Sequence, residues 1–188
     1  MREEKKRNML FTFDYELFLG EKSGTVGDCL ISPTEKILKI LNFYKIKGVF
    51  FIDTSYLITL KKVSLKDSFA KKDLEIIFMQ LQKLIEQGHY IFPHIHPHWL
   101  DAIYMPEMKE WKLADLSKYR FHNLDDNQRK YLFEESINIL QEIISTINPH
   151  YPISAYRAGG WSIGPFSDFK PFFEKFKIKY DFSALPGI

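Results

Sequence analysis

Two rhythms of apolar residues run along the chain. Short unbroken runs mark strands, and stripes repeating every three or four residues mark helices. Met9-Leu10-Phe11-Thr12-Phe13 is an apolar run that ends at Asp14 and predicts a first buried strand. Gly20 to Asp28 holds three glycines and reads as a loop. Ser32-Pro33-Thr34-Glu35 combines capping-box spacing with a proline at the first helical position, so it predicts a helix start. Ile37, Leu38, Leu41 and Tyr44 then share one face. Val49 to Ile52 predicts a second strand. Asp73 to Gln87 predicts a helix with Leu74, Ile77, Phe78, Leu81, Leu84 and Ile85 in one stripe, closed by Gly88. Tyr90-Ile91-Phe92 predicts a third strand that leads into a run of histidines. Residues 99 to 125 show no period and read as a long irregular excursion. Asp125 to Asn148 predicts a long helix with Leu132, Ser136, Ile139, Leu140, Ile143 and Ile147 in line. Ile153 to Tyr156, Pro171 to Phe176 and Lys179 to Phe182 follow as strand, short helix and strand. Strands alternating with helices predict an α/β fold with parallel strands.

Composition changes this picture little. The 188 residues suit one domain, with 45% apolar and 27% charged residues. Lys and Arg number 26 against 24 Asp and Glu, a net charge of +2 that gives no reason to expect a nucleic-acid partner. Seventeen Phe and ten Tyr predict an aromatic core, and the single Cys29 cannot form an internal disulfide. The charged start, Met1 to Arg7, precedes an apolar run shorter than the roughly 7–15 residues of a secretory signal. No stretch reaches the ~20 apolar residues of a membrane span, so the expectation is a soluble, cytoplasmic protein.

The chemistry lies in three clusters. Four of six histidines fall between positions 89 and 98: His89, His94, His96 and His98. Histidines with a carboxylate make open catalytic sites for a metal such as zinc. In an extended segment His94, His96 and His98 would share a face; in a turn His94 and His98 would converge. Asp14 and Glu16 stand at the end of the first predicted strand on one face. There one carboxylate is placed to bind metal while the other takes a proton from water. Tyr156-Arg157-Ala158-Gly159-Gly160-Trp161 sets an arginine at a strand end. That arginine can hold a carboxylate bidentately, Gly160 lets the backbone approach a ligand, and Trp161 can stack on a sugar ring. Trp99 and Trp111 are expected to line the same cleft.

These pieces, in this order, resemble the polysaccharide deacetylase family, the NodB-homology carbohydrate esterases. Phe11-Thr12-Phe13-Asp14 is similar to that family's opening T-F-D-D motif, with Tyr15 in place of the second Asp and Glu16 as the next carboxylate. Lys47 to Phe51 resembles its second strand. Gln87-Gly88-His89 followed by His94-x-x-x-His98 resembles its G-H…H-x-x-x-H stretch, Tyr156-Arg157 its third motif, and Tyr180 to Ser183 the start of its fourth.

The resemblance covers residues 9 to 183. It implies a distorted, incomplete (β/α) barrel of parallel strands, formed by a single domain over 1–188 that lacks its C-terminal part. It implies one divalent metal ion, Zn²⁺, held by Glu16, His94 and His98. Asp14 would be the base, supported by Arg157, and an N-acetylated amino sugar or oligosaccharide the substrate. Trp99, Gly160 and Trp161 are the expected substrate contacts. The general-acid histidine of that family's last motif has no counterpart after His150. A non-catalytic carbohydrate binder and another metallohydrolase are the rival readings.

Overall fold

The computed structural model describes residues 9–184 except 21 and 114. The charged start at 1–7 and the final 186–188 lie outside the described residues. Strand β1 (Thr12–Tyr15) leads through a π-helical turn, Gly27–Ile31, into helix α1 (Ser32–Phe43). β2 (Val49–Asp53) is followed by α2 (Thr54–Ser64), α3 (Ser68–Glu86) and β3 (Tyr90–Ile95). A hairpin of β4 (Ile103–Met105) and β5 (Glu110–Lys112) precedes α4 (Asp126–Ser145). β6 (Ala155–Ala158), α5 (Lys170–Phe176) and β7 (Tyr180–Asp181) follow. The main sheet is parallel throughout, in the order β1-β2-β3-β6-β7. The expected α/β class is the one observed.

One helix expectation is corrected, and one helix is added. Ser32 and Glu35 make no capping box, because the chain is already helical at Gly27–Ile31 and Ser32 lies inside the helix. Glu35 turns instead to Lys83 of α3 at 2.9 Å and Gln80 at 3.3 Å. Gln80 also accepts from the Tyr15 hydroxyl at 3.0 Å and donates to the Ile31 carbonyl at 3.0 Å, so one buried amide ties β1, α1 and α3 together. Helix α2 was not expected at all. Its residues Thr54 to Leu60 are buried without interruption, and a helix covered on every side shows no amphipathic stripe. The Thr54 hydroxyl meets Ser136 of α4 at 2.8 Å and the His94 carbonyl at 3.2 Å, which satisfies a polar pair inside the core.

The sheet is strongly curled. Neighbouring strands lie about 4.8 Å apart, so β1 and β6, three steps apart in order, would be ~14 Å apart in a flat sheet. Yet the Arg157 guanidinium on β6 reaches Asp14 of β1 at 2.5 Å and Thr12 at 3.0 Å. Phe51 of β2 likewise packs against Phe182, just beyond β7, with ring centroids 5.2 Å apart. The curl makes a barrel-like wall with Phe51, Arg157 and Phe182 on its inside.

Outside the wall the core is aromatic, as the composition predicts. Phe133 of α4 stacks on Phe172 at 4.8 Å and on Tyr156 at 5.4 Å, and Phe121 stacks on Phe169 at 4.4 Å. Phe133→Ala is expected to lower unfolding free energy by about 3–5 kcal/mol in urea denaturation, since Phe133 is fully buried. Phe43→Ala, at a side chain 79% exposed, should stay within about 0.5 kcal/mol. Equal losses at the two positions would refute this placement of the core.

Candidate functional site

The ionisable groups gather where the strands end. Asp14 is the last residue but one of β1 with Glu16 just beyond its end, Asp53 closes β2, His94 and His96 stand at the end of β3, and Arg157 lies in β6. The parallel register sets Asp53 beside His94 and His94 beside Arg157. Ligand clefts of α/β sheets form outside these carboxyl ends. A cavity there is lined by Asp14, Glu16, Asp53, His94, His96, His98, Trp99, Tyr119, Gly160 and Trp161, with Leu17 and Leu19.

Its floor is a knot of three side chains. Glu16 Oε2 lies 2.7 Å from His96 Nε2 and 3.3 Å from His94 Nε2, and the two Nε2 atoms are 2.9 Å apart. Strand alternation brings both rings to one side. His94 Nδ1 is 3.0 Å from the Arg157 carbonyl. A carbonyl only accepts, so that nitrogen carries the proton and the lone pair of neutral His94 sits on Nε2, facing the knot. The His96 backbone N–H donates to Ser55 Oγ at 3.0 Å, and its ring presses on Gly159. A Cβ at Gly159 would lie 2.6 Å from His96 Nδ1 and 2.5 Å from the Ile95 carbonyl, so only glycine leaves room for that ring. Burial pushes the Glu16 carboxyl upward, but hydrogen bonds from His94 and His96 outweigh it and hold the group well below the usual carboxylate range. His96 is raised despite burial because it faces Glu16 and Asp53.

Glu16, His94 and His96 are thus a group whose ligand atoms all lie within 4.8 Å of one another, a spacing that suits one cation. Two imidazole nitrogens and one carboxylate oxygen are the donor set of borderline divalent metals, and a carbonyl-anchored imidazole is the usual support for such a ligand. The structure therefore joins Glu16 and His94 to His96, while His98 stands outside the knot. The reason is local. The strand stays extended through His96, and Pro97 then opens a 3-10 turn, Pro97–Asp101, that carries His98 away. The His98 ring lies parallel to Tyr119, with centroids 6.1 Å apart and planes at 11°. Burial and the charge of nearby His96 push His98 down to about 3, so it is neutral at neutral pH.

Asp14 has a different partner. Arg157 holds it through Nη1 at 2.5 Å while donating to Thr12 at 3.0 Å and, through Nε, to the Phe182 carbonyl at 3.2 Å. The guanidinium also lies 4.2 Å from the Phe51 ring centroid. Four contacts leave it little freedom.

The tryptophans divide three ways. Trp161, 56% exposed, stands at the cavity mouth beside Gly160, whose left-handed φ of 58° brings it against the Tyr119 hydroxyl. Trp99 borders the cavity but is buried, with its indole N–H donating to Asp53 at 2.5 Å. Trp111 does not line the cleft as expected: it is a core residue, packed on Tyr56 and Tyr104 at 5.8 and 5.0 Å. The strand run Val49 to Ile52 flows straight into Asp53, so the strand-end reasoning that picks out Asp14 would also have found Asp53. Asp53 is fully buried, and burial pushes its carboxyl up to about 6 against the opposing charges of His96 and His94. Tyr119 lay in the irregular excursion and carried no signal.

No protein-family model matches the sequence, and no curated protein matches it either. Among solved structures the fold is similar to that of a Mycobacterium smegmatis protein provisionally described as a polysaccharide deacetylase. The TM-score is 0.50 at 15% identity, over 92% of this chain and 49% of that one. The chain spans about half the length of that protein, and the likeness establishes the α/β fold. Among the described residues no helix is long and apolar enough to cross a membrane.

If Glu16, His94 and His96 hold a divalent ion, Gly159→Ala is expected to weaken its binding about 10- to 100-fold in a chelator competition titration with zinc as the probe, because the new methyl group displaces the His96 ring. The far-UV circular dichroism should be retained. Unchanged zinc affinity would show that the ring position does not matter to binding.

Proposed function

We propose that this chain is a metal-dependent hydrolase that removes N-acetyl groups from an amino sugar or glycan intermediate. The observation that carries the reading is the convergence of Glu16, His94 and His96 beside the Asp14–Arg157 pair, at one mouth of a curled parallel sheet. The fold likeness to a protein described as a polysaccharide deacetylase, and the order of the motifs along the chain, support the same substrate class. Glu16, His94 and His96 would hold one divalent ion, with zinc the first candidate from the donor set. The chemistry such an ion supplies when bound is that of a Lewis acid, which polarises the amide carbonyl and makes water acidic enough to react near neutral pH.

The remaining work falls to side chains. Asp14 is the base that takes the proton of the attacking water. Arg157 fixes the orientation of that carboxylate through one oxygen. Backbone N–H groups around Gly159 to Trp161 would stabilise the developing oxyanion. Trp161, exposed at the rim, offers a flat face to a sugar ring. We place the reaction in the cytoplasm, on an intermediate of surface-glycan synthesis rather than a finished wall polymer.

Zinc content and acetate release from a panel of N-acetylated sugars and sugar nucleotides test the assignment together. Glu16→Gln, His94→Ala and His96→Ala should each lose most bound zinc. Asp14→Asn should keep its zinc and fold while activity falls ~10²–10⁴-fold, the usual loss for a general base. Full activity in Asp14→Asn, or zinc loss as complete as in Glu16→Gln, would refute this division between the two carboxylates.

A further inference from the structure

The irregular stretch between β5 and α4 brings to the cavity a side chain that neither the ligand group nor the base uses. Tyr119 forms part of the cavity wall together with Gly160 and Trp161. Its place is fixed from both sides along the chain. Lys118 pairs with Asp101 at 2.8 Å, and Phe121 is buried against Phe169 at 4.4 Å. The ring is oriented too, lying parallel to His98 with planes 11° apart. Gly160 locates its outer end. A Cβ at Gly160 would lie 2.6 Å from the Tyr119 hydroxyl oxygen and 2.9 Å from Cζ, so the hydroxyl abuts the turn that leads into Trp161. Trp161 takes a left-handed φ of 52°, which bulky side chains rarely adopt, so its surroundings hold that turn in place.

The ring of Tyr119 is enough to brace the turn, and that task leaves its hydroxyl over. The hydroxyl has no hydrogen-bond partner among the described residues. Unlike the hydroxyls of Tyr56, Tyr104 and Tyr156, it is not sealed inside the protein. We infer that Tyr119 is a specificity-determining residue whose hydroxyl bonds a free ring hydroxyl of the sugar that stacks on Trp161. A sugar laid on a flat aromatic face presents its equatorial hydroxyls at its edge, and the phenol oxygen stands beside the residue that precedes that face. A phenol both donates and accepts, as a sugar hydroxyl does. The acetamido group would lie deeper, toward Glu16, His94 and His96, so the ring and not the amide meets Tyr119. The inference rests on the deacetylase reading and narrows its substrate to an N-acetylated sugar with an unsubstituted hydroxyl on the same ring.

The test uses the full chain loaded with zinc, with N-acetylglucosamine, N-acetylgalactosamine and their monodeoxy derivatives as probes. Sugar affinity is read by titration of tryptophan fluorescence and turnover by acetate release. Tyr119→Phe, which keeps the ring and removes the hydroxyl, should retain the circular dichroism and zinc affinity of the wild type. Its sugar dissociation constant and KM should rise about 3- to 10-fold with little change in kcat, the scale of one hydrogen bond. One monodeoxy derivative, lacking the partner hydroxyl, should bind the wild type and Tyr119→Phe equally. Tyr119→Ala, which also removes the brace, should weaken sugar binding further. Unchanged affinity in Tyr119→Phe overturns the inference while leaving the deacetylase reading intact. So does a penalty of the same size for every monodeoxy derivative, or a loss of zinc from Tyr119→Phe, since either would give the residue a structural role. If the wild type neither binds nor deacetylates these sugars, the deacetylase reading falls and this inference with it.

Discussion

The guanidinium of Arg157 holds this architecture together at its one demanding point. A parallel sheet of five strands can lie open and gently twisted, or curl until its inner side chains meet. Here the inner contact is ionic. A group on β6 reaches two side chains of β1 and a carbonyl beyond β7, and lies over the ring of Phe51 of β2. An arginine suits that place because its planar fork can donate in several directions at once while its face rests on an aromatic ring. The curl brings the ends of β1 and β3 to opposite sides of a narrow cleft, so Glu16 and the histidine pair can touch. Loss of the clasp would loosen the wall and the metal knot together, although Arg157 touches neither Glu16 nor His96 through its side chain.

Much of this was legible in the sequence because burial leaves a periodic trace. The stripes of α3 and α4 and the apolar run of β2 appear where the pattern put them, to within a few residues at each end. Helix α2 left no trace, since full burial of Thr54 to Leu60 erases the polar face that reveals a helix. The site was half legible for a related reason. Strand-end logic and motif order find Asp14, Glu16, His94 and Arg157, which all lie on or just beyond regular strands. The choice between His96 and His98 depends on where extension stops. One proline decides it: Pro97 leaves His96 in phase with His94 and turns His98 out of phase. Spacing alone allowed both geometries. Trp111 misled because a tryptophan in a stretch without a period looks the same in sequence whether it lines a cleft or fills the core.

The two carboxylates that share the end of β1 are told apart by what their partners can give up. Asp14 faces an arginine, whose positive charge is permanent under any condition in which the protein is folded. That pairing orients the carboxylate without competing for it as an acceptor of protons from elsewhere, because the guanidinium will not surrender its own. Glu16 faces two imidazoles, whose ring nitrogens can exchange a proton for a metal ion. The same knot can therefore exist as a proton-bridged cluster or as a ligand set. Side-chain length enforces the separation. Both carboxylates lie on one face by alternation, but the aspartate is nearest the arginine on β6, and the glutamate's extra methylene carries its oxygen to 2.7 Å from His96. An Asp-x-Glu order thus places a fixed acceptor and an exchangeable ligand side by side, which is what the proposed hydrolysis at a single metal would require of them.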